Sequence, residues 1–336
     1  MILPVLCLRS KHNTGRIMIC KEHPPRWEEF LKTLTERLSK TTPSLPCVRC
    51  LTKKTLARMF REIQIELKLP STYPSGVKIL EHLISMGLAT RVPIEDAPKL
   101  TPSKEFFLLG IRGSRELDVD PLELLQAYHQ SGIICYFSAL AHLNLTTQIS
   151  AHHHVAILTP RSIKTNIEPA EIIPKSDNSK EKIKRSRLGT PAFSYQGIPY
   201  YSVKRVKNSL PGVKIRILSP WTRIRMTTIE QTLLDTLQYP FHCGGPEAVF
   251  EAWEKQIEKI DDDLILDYLE RIQIAPLTRR IGAIFELLGH HPVKRLDSFL
   301  KKKRNQFFAQ SEIQHISLLR GTHYSQINSS WYVYVP

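Results

Sequence analysis

Cysteine is scarce in this sequence, and a membrane span is missing. Six cysteines in 336 residues, at positions 7, 20, 47, 50, 135 and 243, are too few and too scattered for a disulfide framework. No apolar run reaches the ~18 residues that a membrane helix needs. The opening MILPVLCLRSKHNTGRIMIC has no charged leader and no small-residue cleavage site, so no signal peptide is expected, and the cytoplasm is the expected compartment. Met18 is a second candidate start. A glycine-rich phosphate loop of the Walker type is absent, as is any Ser/His/Asp arrangement. With 42% hydrophobic residues, the chain has enough apolar side chains for a sizeable core.

Negative charge is also short. Lys and Arg number 47 against 32 Asp and Glu, a formal charge of +15. The excess is +8 over residues 1–110, +6 over 111–250 and +1 over 251–336. A basic surface over the first two thirds points to a polyanionic partner, DNA or RNA before a membrane.

Residues 1–25 show no period and read as a loose tail. RWEEFLKTLTERLSK (26–40) is helical, with Trp27, Phe30, Leu31, Leu34 and Leu38 on one face. TKKTLARMFREIQIEL (52–67) is a second helix, capped by Thr52 and striped by Leu56, Phe60, Ile63 and Leu67. SGVKILEHLISMG (75–87) is a third, with Ser75 as cap, Val77, Leu80, Leu83 and Ile84 facing inward and Gly87 at its end. LATRV and EFFLL follow as two strands joined by a Pro-rich loop. Three helices and a hairpin form the pattern of a winged helix-turn-helix, expected over 26–110.

In that geometry Ser75, Lys78, His82 and Ser85 face outward on the third helix. Ser71, Thr72 and Tyr73 stand at its N-terminus, where backbone N–H groups favour a phosphate. Lys53, Lys54, Arg58 and Arg61 lie on the preceding helix, and Arg91, Lys99 and Lys104 on the wing. Small polar and basic groups on one helix face, flanked by cations for phosphates, suit a reader of the DNA major groove. Winged helices also serve as protein-binding modules; the charge favours DNA.

From 111 to 336 a larger α+β domain is expected, with a helical C-terminal portion. Asp120 caps a helix with Pro121 at its first position. GIICYFSALAHLNL reads as one helix, with Ile134, Phe137, Ser138 and Ala141 inward, and HHHVAILTP ends in a strand. Residues 169–192 are polar, charged and Pro-containing, the composition of a flexible surface loop. PYYSVKRV and GVKIRIL are strands. Helices are expected at 228–238, 246–258, 263–273, 277–288 and about 293–304, with SSWYVYV as a closing strand.

The stretch TTIEQTLLDTLQYPFHCGGPEAVFEAWEK (227–255) sets His242 beside Cys243. A nucleophile needs a base within reach and an orienting third group, which sequence neighbours rarely supply. Each residue has a structural task instead. Thr228 and Gln231 form a capping box, Pro240 stops the helix, Gly244 and Gly245 permit a tight connection, and Pro246 opens the next helix with Val249, Phe250, Trp253 and Ile257 inward.

TTIEQTLLDTLQYPFHCGG resembles the signature of the AbiEi family of antitoxins: a pair like Glu230-Gln231 before Thr-Leu-Leu-Asp, then a Pro and Cys-Gly-Gly. GIICYFSALAHLNLTTQ before HVAILTP is similar to a second block, and APLTRRIGAIFELLG to a third. With the N-terminal helices the resemblance covers about residues 45–336. It implies an antitoxin of a bacterial toxin-antitoxin pair linked to phage defence. The N-terminal domain would repress the operon at inverted repeats in its promoter. The C-terminal domain would counteract a nucleotidyltransferase-like toxin, without a stable complex. Asp235 and Arg280 match the family pattern, and their roles do not follow from it. The first ~45 residues and the 169–192 loop depart from the family.

Other signals have cheaper explanations. Cys20, His23, Cys47 and Cys50 make a ligand set that zinc can use, but in weak context. His152, His153 and His154 alternate across a strand and read as edge or solvent residues. Asp261, Asp262 and Asp263 precede an apolar helix and suit its cap and dipole. No cofactor, metal or enzymatic activity is expected. The alternatives are a winged-helix regulator with a sensing or oligomerising second domain, and a metal-dependent nuclease or transferase using carboxylates such as Asp235 and Glu247.

Overall fold

Helix α1 (Trp27–Ser39) buries Trp27, Phe30 and Leu34 along one stripe, as its amphipathic spacing dictates. It comes from a computed structural model that describes residues 23–39, 46, 48–96, 105–110, 119–160, 188–309 and 313–336. Strand β1 (Cys50–Thr52) runs directly into helix α2 (Lys53–Glu66). The Thr52 hydroxyl accepts the Thr55 N–H at 3.3 Å, satisfying one of the helix's free donors. Leu56, Phe60 and Ile63 fill the core beneath.

Helix α3 (Gly76–Ser85) is rotated from its expected setting. Val77 and Ile84, expected inside, are 47% and 40% exposed, and Ile79 joins Leu80 and Leu83 in the core. Five of its ten residues are apolar, so two different stripes satisfy the helical period. Tertiary packing selects between them. A Cβ on Gly76 would stand 3.3 Å from the Ala57 Cα, so α2 and α3 approach closely there. Ser75 occupies the cap position, but its hydroxyl makes no capping bond.

Strands β2 (Ala89–Val92) and β4 (Phe106–Leu109) form the expected antiparallel pair, with β1 on the other side of β4. Alternation gives this small sheet two working faces. Leu51, Ala89, Phe107 and Leu109 pack on the three helices. Cys50, Val92 and Phe106 belong to a core shared with residues 119–226, where the Phe106 and Phe193 rings lie 5.1 Å apart. The two-residue strand β3 (Glu95–Asp96) leaves the small sheet and pairs with the edge of the large one. Helix α4 (Pro121–Tyr128) begins with Asp120 capping Leu122 N–H, as expected. Its buried Glu123 accepts the Arg49 and Cys50 N–H groups at 2.6 and 3.0 Å. The N-terminal body is thus joined to the rest through a common apolar core and charge-assisted hydrogen bonds.

The large sheet comprises β3, β5 (Ile133–Ile134), β6 (His153–Thr159), β7 (Thr190–Tyr195), β8 (Ile198–Val206), β9 (Val213–Ser219) and β10 (Thr222–Thr227), in the order β3-β7-β8-β6-β5-β10-β9. The β6–β8 and β5–β10 pairs are parallel and the others antiparallel. Two expectations are corrected here. The helix expected across 132–145 begins only at Tyr136 (α5, Tyr136–His142), because Ile133 and Ile134, both β-branched, form a strand. Residues 190–192, expected in a loop, open strand β7; residues 169–187 lie outside those described.

Helices α6 (Ile229–Gln238), α7 (Pro246–Gln256), α8 (Asp262–Ile272), α9 (Ala275–Leu287) and α10 (Lys294–Phe308) pack the far side of the molecule. A three-stranded sheet of β11 (Ile316–Ser317), β13 (Val333–Val335) and β12 (Gln326–Asn328) closes it. The fold is mixed α+β. Among the described residues, no helix is long and apolar enough to cross a membrane.

Candidate nucleic-acid interface

The exposed arc of α3 carries Val77, Lys78, Glu81 and Ser85. Ser71, Thr72 and Ser75 are exposed at its N-terminal end, as expected. Two neighbours are not placed as expected. Tyr73 is buried against Phe30, with ring centroids 6.0 Å apart, and its hydroxyl cannot reach a phosphate. His82 is half-buried: its ring lies 4.8 Å from that of Trp27, and its Nε2 is 2.9 Å from the Nδ1 of His23. Residues just before α1, expected in a loose tail, therefore cover this part of α3.

The basic groups around α3 differ in how free they are. Lys54, Arg61 and Lys78 are exposed. Lys53 and Arg91 share one carboxylate, with Lys53 Nζ 2.7 Å and an Arg91 terminal nitrogen 2.6 Å from Glu105. The hydrogen bond from Lys53 holds the Glu105 carboxyl below its ordinary range against the opposing effect of burial, and Arg91 adds to it. Arg58 donates to the Gln130 side chain at 2.9 Å. Lys99 and Lys104 lie outside the described residues. Sequence reading missed Glu105 and Gln130, which decide where three of these cations point. Glu105 follows Lys104 in the sequence, which could have drawn attention to it, whereas nothing near Gln130 marks it.

A second polar cluster lies under α6, around the His242–Cys243 pair. Arg205, on strand β8, is buried and donates to Asp235 at 3.1 Å, to Tyr136 Oη at 2.8 Å and to the Ser209 carbonyl at 2.8 Å. Burial alone would lower the Arg205 guanidinium, yet Asp235, Tyr136 and Tyr239 hold it well above its ordinary value. Burial raises the Asp235 carboxyl, with Arg205 pulling the other way. The Gln231 side chain donates to Asp235 at 3.1 Å and accepts Gly212 N–H at 3.2 Å. It does not reach back to Thr228, so only the Thr228 half of the capping box forms, at 3.3 Å to Gln231 N–H. Tyr136 takes a positive φ of 57°, costly for an aromatic residue and held here by its packing.

The histidines surround this cluster. His152 and His154, expected at an edge or in solvent, are buried, with rings 4.9 Å apart on one face; His154 lies 5.2 Å from His242. Alternation sends His153 to the opposite face, where it too is buried. The edge reading fails because β6 is an interior strand of the sheet, and the solvent reading because both of its faces are covered here. Burial lowers all four rings, those of His153 and His242 to about 4. The Cys243 thiol is fully buried and pushed far up by burial and by Asp235, which suits a packing residue rather than a nucleophile. Gly244 and Gly245 take φ of 92° and 96°, the left-handed region that their connection requires.

The remaining candidates separate. Cys20 and Cys47 lie outside the described residues; Cys50 is buried in β1 and His23 faces His82. Among the described residues, no three His, Cys, Asp or Glu side chains are grouped to hold a metal ion. Asp235 is buried in its ion pair, whereas Glu247 is exposed on α7. Asp261 caps α8 at Leu264 N–H, Asp262 accepts Val293 N–H, and Asp263 pairs with Arg295. Arg280, the other position matching the family pattern, is buried and donates to the Ser317 carbonyl at 3.0 Å.

No family model matches the chain, and no curated protein matches it. Among solved structures it is similar to the RV2827C protein from Mycobacterium tuberculosis. The identity is 12% over 91% of this chain and 90% of that one, with a TM-score of 0.47.

Proposed function

We propose that the chain is a DNA-binding antitoxin of the AbiEi type. Its N-terminal winged helix-turn-helix reads inverted repeats in its own promoter, and its larger domain counteracts a nucleotidyltransferase-like toxin encoded nearby. The observation that carries the DNA-binding half is the exposed arc of α3. Lys78 and Ser85 project from it, Ser71, Thr72 and Ser75 stand at its N-terminus, and Lys54, Arg61 and Arg91 flank it. A helix of this kind places short polar and apolar groups against base edges while the flanking cations hold phosphates. Val77, exposed beside Lys78, adds an apolar contact suited to a thymine methyl group. The antitoxin half rests on the motif resemblance in α5–β6, α6 and α9.

The test is a titration of the purified chain on the DNA upstream of its gene, beside a scrambled duplex, at two salt concentrations. Tight binding to the upstream DNA alone is expected. Lys78→Ala weakens that binding selectively. Arg91→Ala weakens binding to both duplexes and flattens the salt slope by about 0.9 if it holds one phosphate. Equal, steeply salt-dependent binding to both duplexes would mean a basic surface without readout and would remove the repressor reading. Co-expression with the neighbouring gene tests the antitoxin half, which fails if that gene is harmless without this chain.

A further inference from the structure

The N-terminus of α3 rests on α2 at Ala57, and the next residue, Arg58, reaches Gln130 in the turn after α4. The neighbouring Ser131 carbonyl accepts from Arg225 on strand β10 at 3.1 Å. Arg225 in turn lines a cleft of about 530 Å³ with Lys207, which follows β8, and Arg271 near the end of α8. Contacts therefore run from the N-terminal end of α3, through α2 and the 129–131 turn, to a basic cleft in the larger body. Arg271 is partly engaged by Asp267 at 3.1 Å, and Glu270 is the carboxylate lining the cleft against these three cations. The floor is apolar, with Ile133, Leu158 and Leu210.

We propose that a DNA duplex seated on α3 continues across the 129–131 turn onto the larger body, where Arg225, Lys207 and Arg271 hold its backbone phosphates. This rests on the reading of α3 as the DNA-binding element. Charge complementarity selects the occupant: positively charged side chains follow one another along the path, as a row of phosphates requires. Stiffness supports it. A duplex bends over ~150 base pairs, so one held on α3 and directed toward the 129–131 turn passes onto the larger body without a sharp bend. The common core of Phe106 and Phe193 fixes what lies there, and the two contact regions keep one spacing. The larger body then contributes affinity and register, while sequence readout stays with α3.

The test uses the full chain and its own upstream DNA, with the scrambled duplex beside it. Lys207→Ala/Arg271→Ala removes two exposed cations, and Arg225→Gln removes the third charge while keeping a donor for Ser131. Each lost phosphate contact should lower the salt slope by about 0.9. The double variant should lose up to about 1.8 and bind both duplexes roughly tenfold more weakly near physiological salt. Thermal melts should match the parent, because the altered side chains are exposed or half-exposed. If slopes and affinities stay at parental values while Lys78→Ala still weakens upstream binding, the duplex ends on α2 and the extension is wrong. If the parent chain binds no duplex, the DNA-binding reading falls and this proposal with it.

Discussion

Arg91 and Arg205 carry the same charge under opposite conditions. Arg91 is 66% exposed at the edge of the small sheet and shares one carboxylate with Lys53. Arg205 is 5% exposed, sits in the middle of the large sheet and is saturated by Asp235, Tyr136 and Ser209. A surface ion pair is worth ~0–1 kcal/mol and can be exchanged for a phosphate at little cost. A buried one leaves an uncompensated charge when broken. The N-terminal cations are therefore available to a partner, and Arg205 is committed to the fold. Asp235 belongs to the second group, and so do the nearby histidines.

The largest effect should come from breaking the buried set. Arg205→Ala strands the Asp235 carboxylate and should cost ~3–5 kcal/mol, read as a large fall in Tm or as failure to fold. Arg205→Met/Asp235→Leu, which removes both charges and keeps volume, should recover most of that loss. If the single variant melts like the parent, Arg205 is not structural and the cluster has to be treated as a ligand site. Activity loss alone would not separate these outcomes; the double variant does.

Acid should sharpen the same contrast. Burial puts His153 and His242 at about 4, with His152 and His154 also lowered, against an ordinary value near 6.5. The unfolded chain takes up protons first, so stability is complete above about pH 6.5 and is lost as pH falls toward 4. Between pH 6.5 and 5, His153 and His242 each cost up to ~2 kcal/mol. Melts at pH 7 and pH 5 should differ by several degrees, and His153→Gln/His242→Gln should flatten the difference. A parent Tm that is constant over this range would mean the rings titrate normally and are open to solvent.

These two regions were also unequally legible in the sequence. Elements whose causes are local could be read directly: the Thr52 cap and stripe of α2, the Asp120–Pro121 start of α4, and the Asp261 cap of α8 all stand where their residues put them. The rotation of α3 was not legible, because five apolar residues in ten allow two stripes and the Gly76–Ala57 approach chooses one. The cluster under α6 was hidden for a different reason. His242 meets His152 and His154 from 90 residues away in the chain, and Arg205 lies in a strand, YYSVKRV, whose charges look outward-facing in isolation. It is buried because its face of β8 is covered by α5 and α6, where it meets Tyr136 and Asp235, while Lys204 on the other face stays exposed; which face a helix will cover is not written in the period of any one strand. Of the residues proposed to meet DNA, Ser71, Thr72, Ser75 and Lys78 are exposed. Tyr73 is buried and His82 half-buried, because their rings pack against Phe30 and Trp27.

The smallest effect tests the exposed side of the comparison. Glu105 holds Lys53 and Arg91 together at 2.7 and 2.6 Å, so in the absence of DNA it competes with phosphate for both. Glu105→Gln removes that competitor and nearly preserves shape. Its stability cost should stay within ~1 kcal/mol, because both partners are well exposed. Binding to any duplex should tighten a few-fold at low salt, equally for upstream and scrambled DNA, with the selective loss in Lys78→Ala unchanged. Weaker binding instead would mean that Glu105 aims Arg91 rather than restraining it. The edge of the small sheet would then resemble the cluster under α6, with a carboxylate that positions its arginine, and the division between available and committed cations would have to be drawn at Lys54, Arg61 and Lys78.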